Sequence, residues 1–332
     1  YTFGHPTATG FEMAYGSAIQ YNASGGEYIY IAIRRPDGYV GKPPELGTSV
    51  FAMDTGNSSS TIPTYDSGFP VDYAFTKTPA SSGDWYTSAR LINGQVNYFT
   101  TAAEHASGNF VFDSNTGWGK SHGANYQSWM WKRHAGFDVV TYTGNGGNLS
   151  VPHSLGGVPE MIWAKERSNA GTEWKVHHKD RPSTSVLRLN NDLAEETSQT
   201  IYQSKYPTAT HFFTSSSLST NNAGFLAMLF RSVDGISKVG SYTGNGSGQT
   251  ITTGFQPRFV IIKRTTGTAR GWFVLDTTRG WGAGNDNYLQ LNDNAAQLSY
   301  DFGAPTSTGF TLTASGDGYN QSNVVYIYYA HA

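Results

Sequence analysis

Three groups of residues in this 332-residue chain are of types that do chemistry. His177-His178-Lys179-Asp180 sets two imidazoles beside a carboxylate, the raw material of a metal site. Asp286, Asp293 and Asp301, among Asn285, Asn287, Asn292 and Asn294, make oxygen-rich loops of the kind calcium takes. Glu195, Glu196 and Asp113 could supply the paired carboxylates of a glycoside hydrolase.

Each group meets an objection. Neighbouring histidines in a strand point to opposite faces, so His177 and His178 cannot easily share an ion, and a plain surface strand is expected. The acidic loops lack the Asp-x-Asp-x-Asp-Gly spacing of a calcium loop. No motif brings Asp113 near the two glutamates. Gly144-Asn145-Gly146-Gly147 and Gly244-Asn245-Gly246-Ser247-Gly248 lack the Lys-Ser/Thr ending of a phosphate cradle and read as turns. There is no Gly-x-Ser-x-Gly elbow. Zero Cys excludes disulfides and thiolate chemistry. The expectation is therefore no catalytic residue, no metal and no cofactor. A sugar-stacking surface needs only exposed rings. Trp118, Tyr126, Trp129 and Trp281, with Trp131, are the candidates for glycan stacking, since they fall in turns or module ends where the copies differ.

The elements that carry these residues are repeats. Tyr142-Thr143-Gly144-Asn145-Gly146 recurs as Tyr242-Thr243-Gly244-Asn245-Gly246. After each comes a Gly-Pro step, then an apolar run ending in Lys: Met161–Lys165 and Phe259–Lys263. A Trp follows (Trp174, Trp272), then Leu187-Arg188-Leu189-Asn190 or Leu289-Gln290-Leu291-Asn292, and a closing apolar strand. A diverged copy precedes them, with Phe51–Asn57, Tyr73–Lys77, Trp85, Arg90-Leu91-Ile92-Asn93 and Trp129-Met130-Trp131. The boundaries read 49–134, 135–234 and 235–332. Residues 1–35 match only the end of a fourth copy, through Thr9–Met13 and Tyr28–Ala32, and 36–48 read as a linker. A chain that begins in mid-repeat and without Met is expected to be a piece of a longer protein.

Composition favours strands joined by turns. Gly numbers 39, Tyr 21 and Phe 18, and charged residues are only 14%. Strand-length apolar runs recur about every ten residues, with turn signals between them. The fold expected is all-β: three tandem antiparallel β-sandwich, jelly-roll-like modules, each burying its own core. Trp174 and Trp272, at one offset from Lys, are expected in that core, and Asp192–Gln199 is the one segment that leans towards helix, with a turn or a single helical turn as the alternative. A net charge of −2 without basic runs gives no reason to expect nucleic acid or an anionic membrane, and no apolar span is long enough to cross a bilayer.

The series Tyr-Thr-Gly-Asn-Gly, Gly-x-x-Pro, apolar run to Lys, Trp, Leu-x-Leu-Asn and closing aromatic strand resembles a tandem repeat of bacteriophage tail fibre and virion appendage proteins. The seams Tyr30–Arg35 and Trp131-Lys132-Arg133 match those between such repeats. The resemblance implies a non-enzymatic virion protein on the particle surface, with other virion proteins as neighbours and host-surface glycan as a multivalent ligand. It also implies a homo-oligomer, a trimer, for which Tyr319, Tyr326, Tyr328 and Tyr329 offer a face. Two other readings stay open. One is a fibre-borne polysaccharide depolymerase, with residues 94–127 as the place to look for its acids. The other is a bacterial adhesin or extracellular filament of tandem sandwich modules.

Overall fold

The structure, a computed structural model, describes residues 4–6, 11–13, 23, 25–31, 46–313, 316 and 318–332. It is all-β. Each repeat builds one large antiparallel sheet in a common order. In repeat 1 the order is Phe51–Thr55, Gln127–Trp131, Tyr73–Lys77, Tyr86–Ala89, Gln95–Tyr98, His105–Ala106. In repeat 2 it is Phe137–Thr143, Gly224–Phe230, Met161–Glu166, Lys175–His178, Leu187–Arg188. In repeat 3 it is Ser237–Thr243, Val325–His331, Phe259–Arg264, Trp272–Asp276, Asp286–Gln290, Leu298–Tyr300. In every case the closing strand lies between the opening strand and the Lys strand. A small second sheet covers one face of each: Tyr65–Asp66 with Gly117–Trp118, Leu149–Pro152 with His211–Thr214, and Gln249–Thr252 with Gly309–Leu312.

The inner strands are buried on both faces, as Met161–Glu166 and Phe259–Arg264 show along their whole length. This is why they read as continuous apolar runs rather than alternating ones. One face packs under the small sheet, as where Ile162 and Leu229 meet Val151 and Phe212. The other face does something the repeat pattern alone does not reveal. Trp85, Trp129, Trp174, Met228, Trp272 and Tyr329, drawn from all three repeats, belong to one continuous apolar cluster. The repeats are therefore not independent beads. Ring pairs cross every seam: Phe99–Trp174 between repeats 1 and 2 at 5.3 Å, Phe230–Tyr329 between 2 and 3 at 4.8 Å, and Phe51–Phe259 between 1 and 3 at 5.2 Å. Each such pair contributes roughly 0.5–1.5 kcal/mol beyond its area.

Hydrogen bonds close the three repeats into a ring. The repeated Trp donates its indole N–H to a neighbouring repeat each time: Trp85 to Gln290 O (2.9 Å), Trp174 to Tyr98 O (2.7 Å) and Trp272 to Arg188 O (2.8 Å). Backbone bonds run the same way, from Gly83 to Asn294, Gly171 to Thr101 and Arg270 to Asp192. A second set returns, from Gln297 to Pro79, Glu104 to Arg167 and Glu195 to Thr265. Two of the repeated lysines also bridge: Lys77 reaches Asn294 O at 2.9 Å, and Lys263 reaches Asp192 O at 2.8 Å. Trp85, Trp174 and Trp272 are thus core, as expected for the last two, and their N–H groups add register between repeats.

The repeated Tyr-Thr-Gly-Asn-Gly segment is the turn by which the chain crosses from one sheet to the other. The strand before it lies in the large sheet and the strand after it in the small one. Gly144 N donates to Ala223 O, and Asn222 N returns to Gly144 O. A Cβ on Gly144 would stand 2.1 Å from Thr220 O, and one on Gly244 2.3 Å from Gln321 O, so this Gly exists for close backbone approach. Asn145 Oδ1 accepts from Gly147 N at 2.8 Å, an Asx turn, and Gly146 takes a positive φ of 82°. Gly144→Ala must push the two loops apart. It is expected to destabilise the chain by about 3 kcal/mol, measured by urea denaturation. An unchanged midpoint would contradict this packing.

Other expectations need correction. Asp192–Gln199 is not helical; Glu196 there makes a bridge to Val186. Tyr326, Tyr328 and Tyr329 are buried because both faces of the last strand are covered, and Tyr319 is buried against Phe302, so the four form no surface for an oligomer. Within residues 1–35, Phe11–Met13 pairs with Gly4–Pro6, while Tyr28–Ile31 are exposed and in no strand. Residues 32–45, with most of the supposed linker, lie outside the described residues.

Candidate binding groove between repeats 1 and 3

The residues with chemical potential are mostly committed to the fold. His177 and His178 sit in Lys175–His178, buried on opposite faces of a doubly covered sheet rather than on a surface strand. His177 lies against Tyr202 and Tyr206 at 5.5 and 5.7 Å. Burial pushes the two imidazoles down to about 4 and about 3, so both are neutral at pH 7. Asp286 is buried and accepts from Gly282 N and Phe302 N, both at 2.9 Å, pinning a loop. Among the described residues no group of three or more His, Cys, Asp or Glu could hold a metal ion. Glu195 pairs with Arg181, and Glu196 with Arg188. Asp113 is exposed in repeat 1.

Three of the four stacking candidates are buried. Trp118 is fully buried and pairs through its strand with Tyr65, where repeats 2 and 3 pair Phe212 with Val151 and Phe310 with Ile251. It is the core residue of the small sheet, its indole N–H bonded to Ser128 Oγ at 3.0 Å. Trp129 belongs to the shared core and donates to Asp276 Oδ2 at 3.1 Å; its neighbour Trp131 donates to Tyr329 Oη. Trp281 packs edge-on against Phe310 and donates to Gly303 O at 2.8 Å. A ring with no exposed face cannot stack on a sugar. Tyr126 alone of the four is only half-buried.

Tyr126 lines a groove of about 570 Å³ at the seam of repeats 1 and 3. From repeat 1 come Thr55, Asn125 and Gln127; from repeat 3 come Arg279, Asn287 and Gln297. Two local features make room. The opening and closing strands of repeat 1, Phe51–Thr55 and Gln127–Trp131, have five residues each, against seven in repeats 2 and 3. The residues that make the returning backbone bonds also differ between the seams. Glu104 and Glu195 each donate a backbone N–H across a seam, and their carboxylates pair with Arg167 and Arg181. Gln297 makes the same backbone bond, to Pro79, but carries an uncharged amide opposite a proline.

The groove wall is polar yet nearly neutral. Arg279 is its one charged lining residue, and that charge is compensated: Nε donates to Asp276 Oδ2 at 2.7 Å and Nη2 to Val274 O at 3.0 Å, with the guanidinium 5.4 Å above the Trp129 ring. Its Nη1 and Gln297 Oε1 are buried atoms with no hydrogen-bond partner among the described residues. Two lining residues therefore each carry a buried, unpartnered polar atom, and a half-exposed phenol stands in the same wall. Such a wall can hold a ligand by stacking and hydrogen bonds; its lining contains no carboxylate, imidazole or amine to transfer a proton. The sequence pointed to Tyr126 but not to its partners, which lie more than 150 residues away.

Residues 107–332 match a family model described as Domain of unknown function (DUF7483). Neither the curated proteins nor the solved structures contain a match.

Proposed function

The chain belongs to the DUF7483 family, and we propose that it is a non-enzymatic structural module of a bacteriophage tail fibre or virion appendage, which also recognises the host surface. The observation that carries this reading is the closed ring. Three repeats locked by reciprocal hydrogen bonds around one aromatic cluster make a rigid block, a form suited to bearing load and presenting a surface. The resemblance of the repeats to those of virion appendages supplies the setting. Assembly as a homotrimer with other virion proteins would multiply weak sites. Since the C-terminal tyrosines are buried, such an interface must use other surface, such as the exposed edge strand Leu298–Tyr300.

The two competing readings have less support. A depolymerase needs free carboxylates, and Glu195 and Glu196 are held by arginines. Asp113→Asn should leave any degradation of host capsule extract unchanged. A cell-made filament is separated from a virion part by antibody labelling in electron micrographs. Gold on the appendages of phage particles supports the virion reading; gold on cell-borne filaments overturns it.

A further inference from the structure

We propose that the outer face of the repeat 1 sheet, at Tyr86, Tyr98 and His105, binds an uncharged glycan chain by ring stacking. This deepens the recognition role proposed above and rests on it for the glycan's origin, though not for the chemistry. The three residues come from three neighbouring strands, Tyr86–Ala89, Gln95–Tyr98 and His105–Ala106. Tyr86 stands opposite Tyr98, and His105 opposite Val96, so all three share the face that the small sheet packs on. Their rings form a row, with centroids 5.3 Å apart from Tyr86 to Tyr98 and again from Tyr98 to His105. Tyr86 and Tyr98 are half-buried and His105 is exposed. The small sheet of repeat 1 leaves the row open, since its strands have two residues each, against four in repeats 2 and 3. In repeat 3 the ring at the position of Tyr86, Phe273, is buried against Tyr288 and Phe302.

Shape and charge set the class. The facing pair Tyr86–Tyr98 is replaced by Lys175–Arg188 in repeat 2 and by Phe273–Gln290 in repeat 3, so the row belongs to repeat 1 alone among the three. A row of rings along a sheet suits an extended ligand with repeating apolar faces, whereas a small organic cation is held by rings that surround it. A pyranose presents such a face of C–H groups, with hydroxyls at its edge. Burial, the neighbouring phenols and Asp84 push Tyr86 up, and burial and Asp84 push Tyr98 up, which sets an exposed carboxylate beside the row. Asp84 can accept from sugar hydroxyls and repels a sugar acid. Glu104, next to His105, is paired with Arg167 and adds no free charge.

Saturation-transfer NMR on the full chain tests this, with maltotriose, cellotriose and tri-N-acetylchitotriose as neutral probes, trigalacturonate as the acid and choline as the cation. At least one neutral trisaccharide should bind about tenfold better than trigalacturonate or choline. His105→Ala, at an exposed position, should weaken that binding about fivefold, the worth of one ring contact, and Tyr98→Ser about tenfold. Tyr98→Phe should keep the signal, and Asp84→Lys should bring trigalacturonate to the affinity of the neutral probe. Circular dichroism like that of the wild type shows that each variant is folded. Binding of no neutral probe, tighter binding of choline or the acid, or wild-type affinity in His105→Ala would overturn the proposal. Its failure would leave gold labelling of the appendage unchanged, whereas binding by a chain found on cell filaments would keep the sugar site and remove the virion reading.

Discussion

Lowering the pH from 6.5 to 4 is expected to unfold the whole chain in one transition. Burial holds His122 at about 4, His177 at about 4, and His178 and His331 at about 3, and it pushes His134 well below its ordinary value. The sign follows from proton binding. Below pH 6.5 the unfolded chain protonates these imidazoles and the folded chain does not, so the stability they permit is present above 6.5 and lost as pH falls. One pH unit on one such group is worth about 1.4 kcal/mol, so His122, His177, His178 and His331 over two units forfeit on the order of 10 kcal/mol, and His134 acts in the same direction. That matches the whole net stability of an ordinary domain, about 5–15 kcal/mol. His331 packs 4.6 Å from Phe51 of repeat 1, and 6.3 Å from His134, so its protonation strikes a seam. Far-ultraviolet circular dichroism against pH should give a midpoint near 5, and His178→Gln with His331→Gln should move it lower. A wild-type midpoint below pH 3.5 would contradict the burial of these rings.

The same reasoning gives the alkaline side. Burial lowers Lys77 and Lys165 to about 8 and Lys263 to about 7. The unfolded chain keeps these protons longer, so stability grows from about pH 7 towards 10. Buried Tyr65, Tyr73 and Tyr202 are raised, so stability falls again above pH 10, where unfolded tyrosines ionise first. The maximum is expected between pH 8 and 10.

Trp272→Ala is the second large effect. It empties a fully buried site in the shared cluster and removes the indole bond to Arg188. A buried Trp→Ala change costs about 3–5 kcal/mol, which corresponds to a fall in Tm of about 4–7 °C for a chain of this size. The loss should be felt in all three repeats, because the cavity opens within the apolar cluster that they share. Fluorescence of the remaining tryptophans and loss of secondary structure should shift together. A variant that loosens repeat 3 while repeats 1 and 2 melt at the wild-type temperature would show that the cores are separate.

How much of this was legible depends on whether the determining contacts are local. The Lys-to-Trp offset, the strand runs and the Gly-Pro steps are set by each repeat's own residues, and they were readable. The partner of Trp85 is Gln290, and no local pattern announces a bond between them. The same holds for the ring. A strand that reads apolar at every position signals two covered faces, yet does not say that the second cover is another repeat. Trp118 was misplaced for a different reason. It stands where Phe212 and Phe310 stand, and a two-residue strand, Gly117–Trp118, followed by Gly119 looks like a turn. The groove had a faint signal, in the shorter strands of repeat 1 and in Gln297 where the other repeats carry Glu104 and Glu195. Neither could be read without knowing which residues meet across a seam.

Everything above depends on the three repeats sharing one core. Differential scanning calorimetry of the full chain at pH 8 tests this most directly. A shared core predicts one transition for residues 46–332, with calorimetric and van't Hoff enthalpies equal within error. Three resolvable transitions, or a calorimetric enthalpy near three times the van't Hoff value, would contradict it.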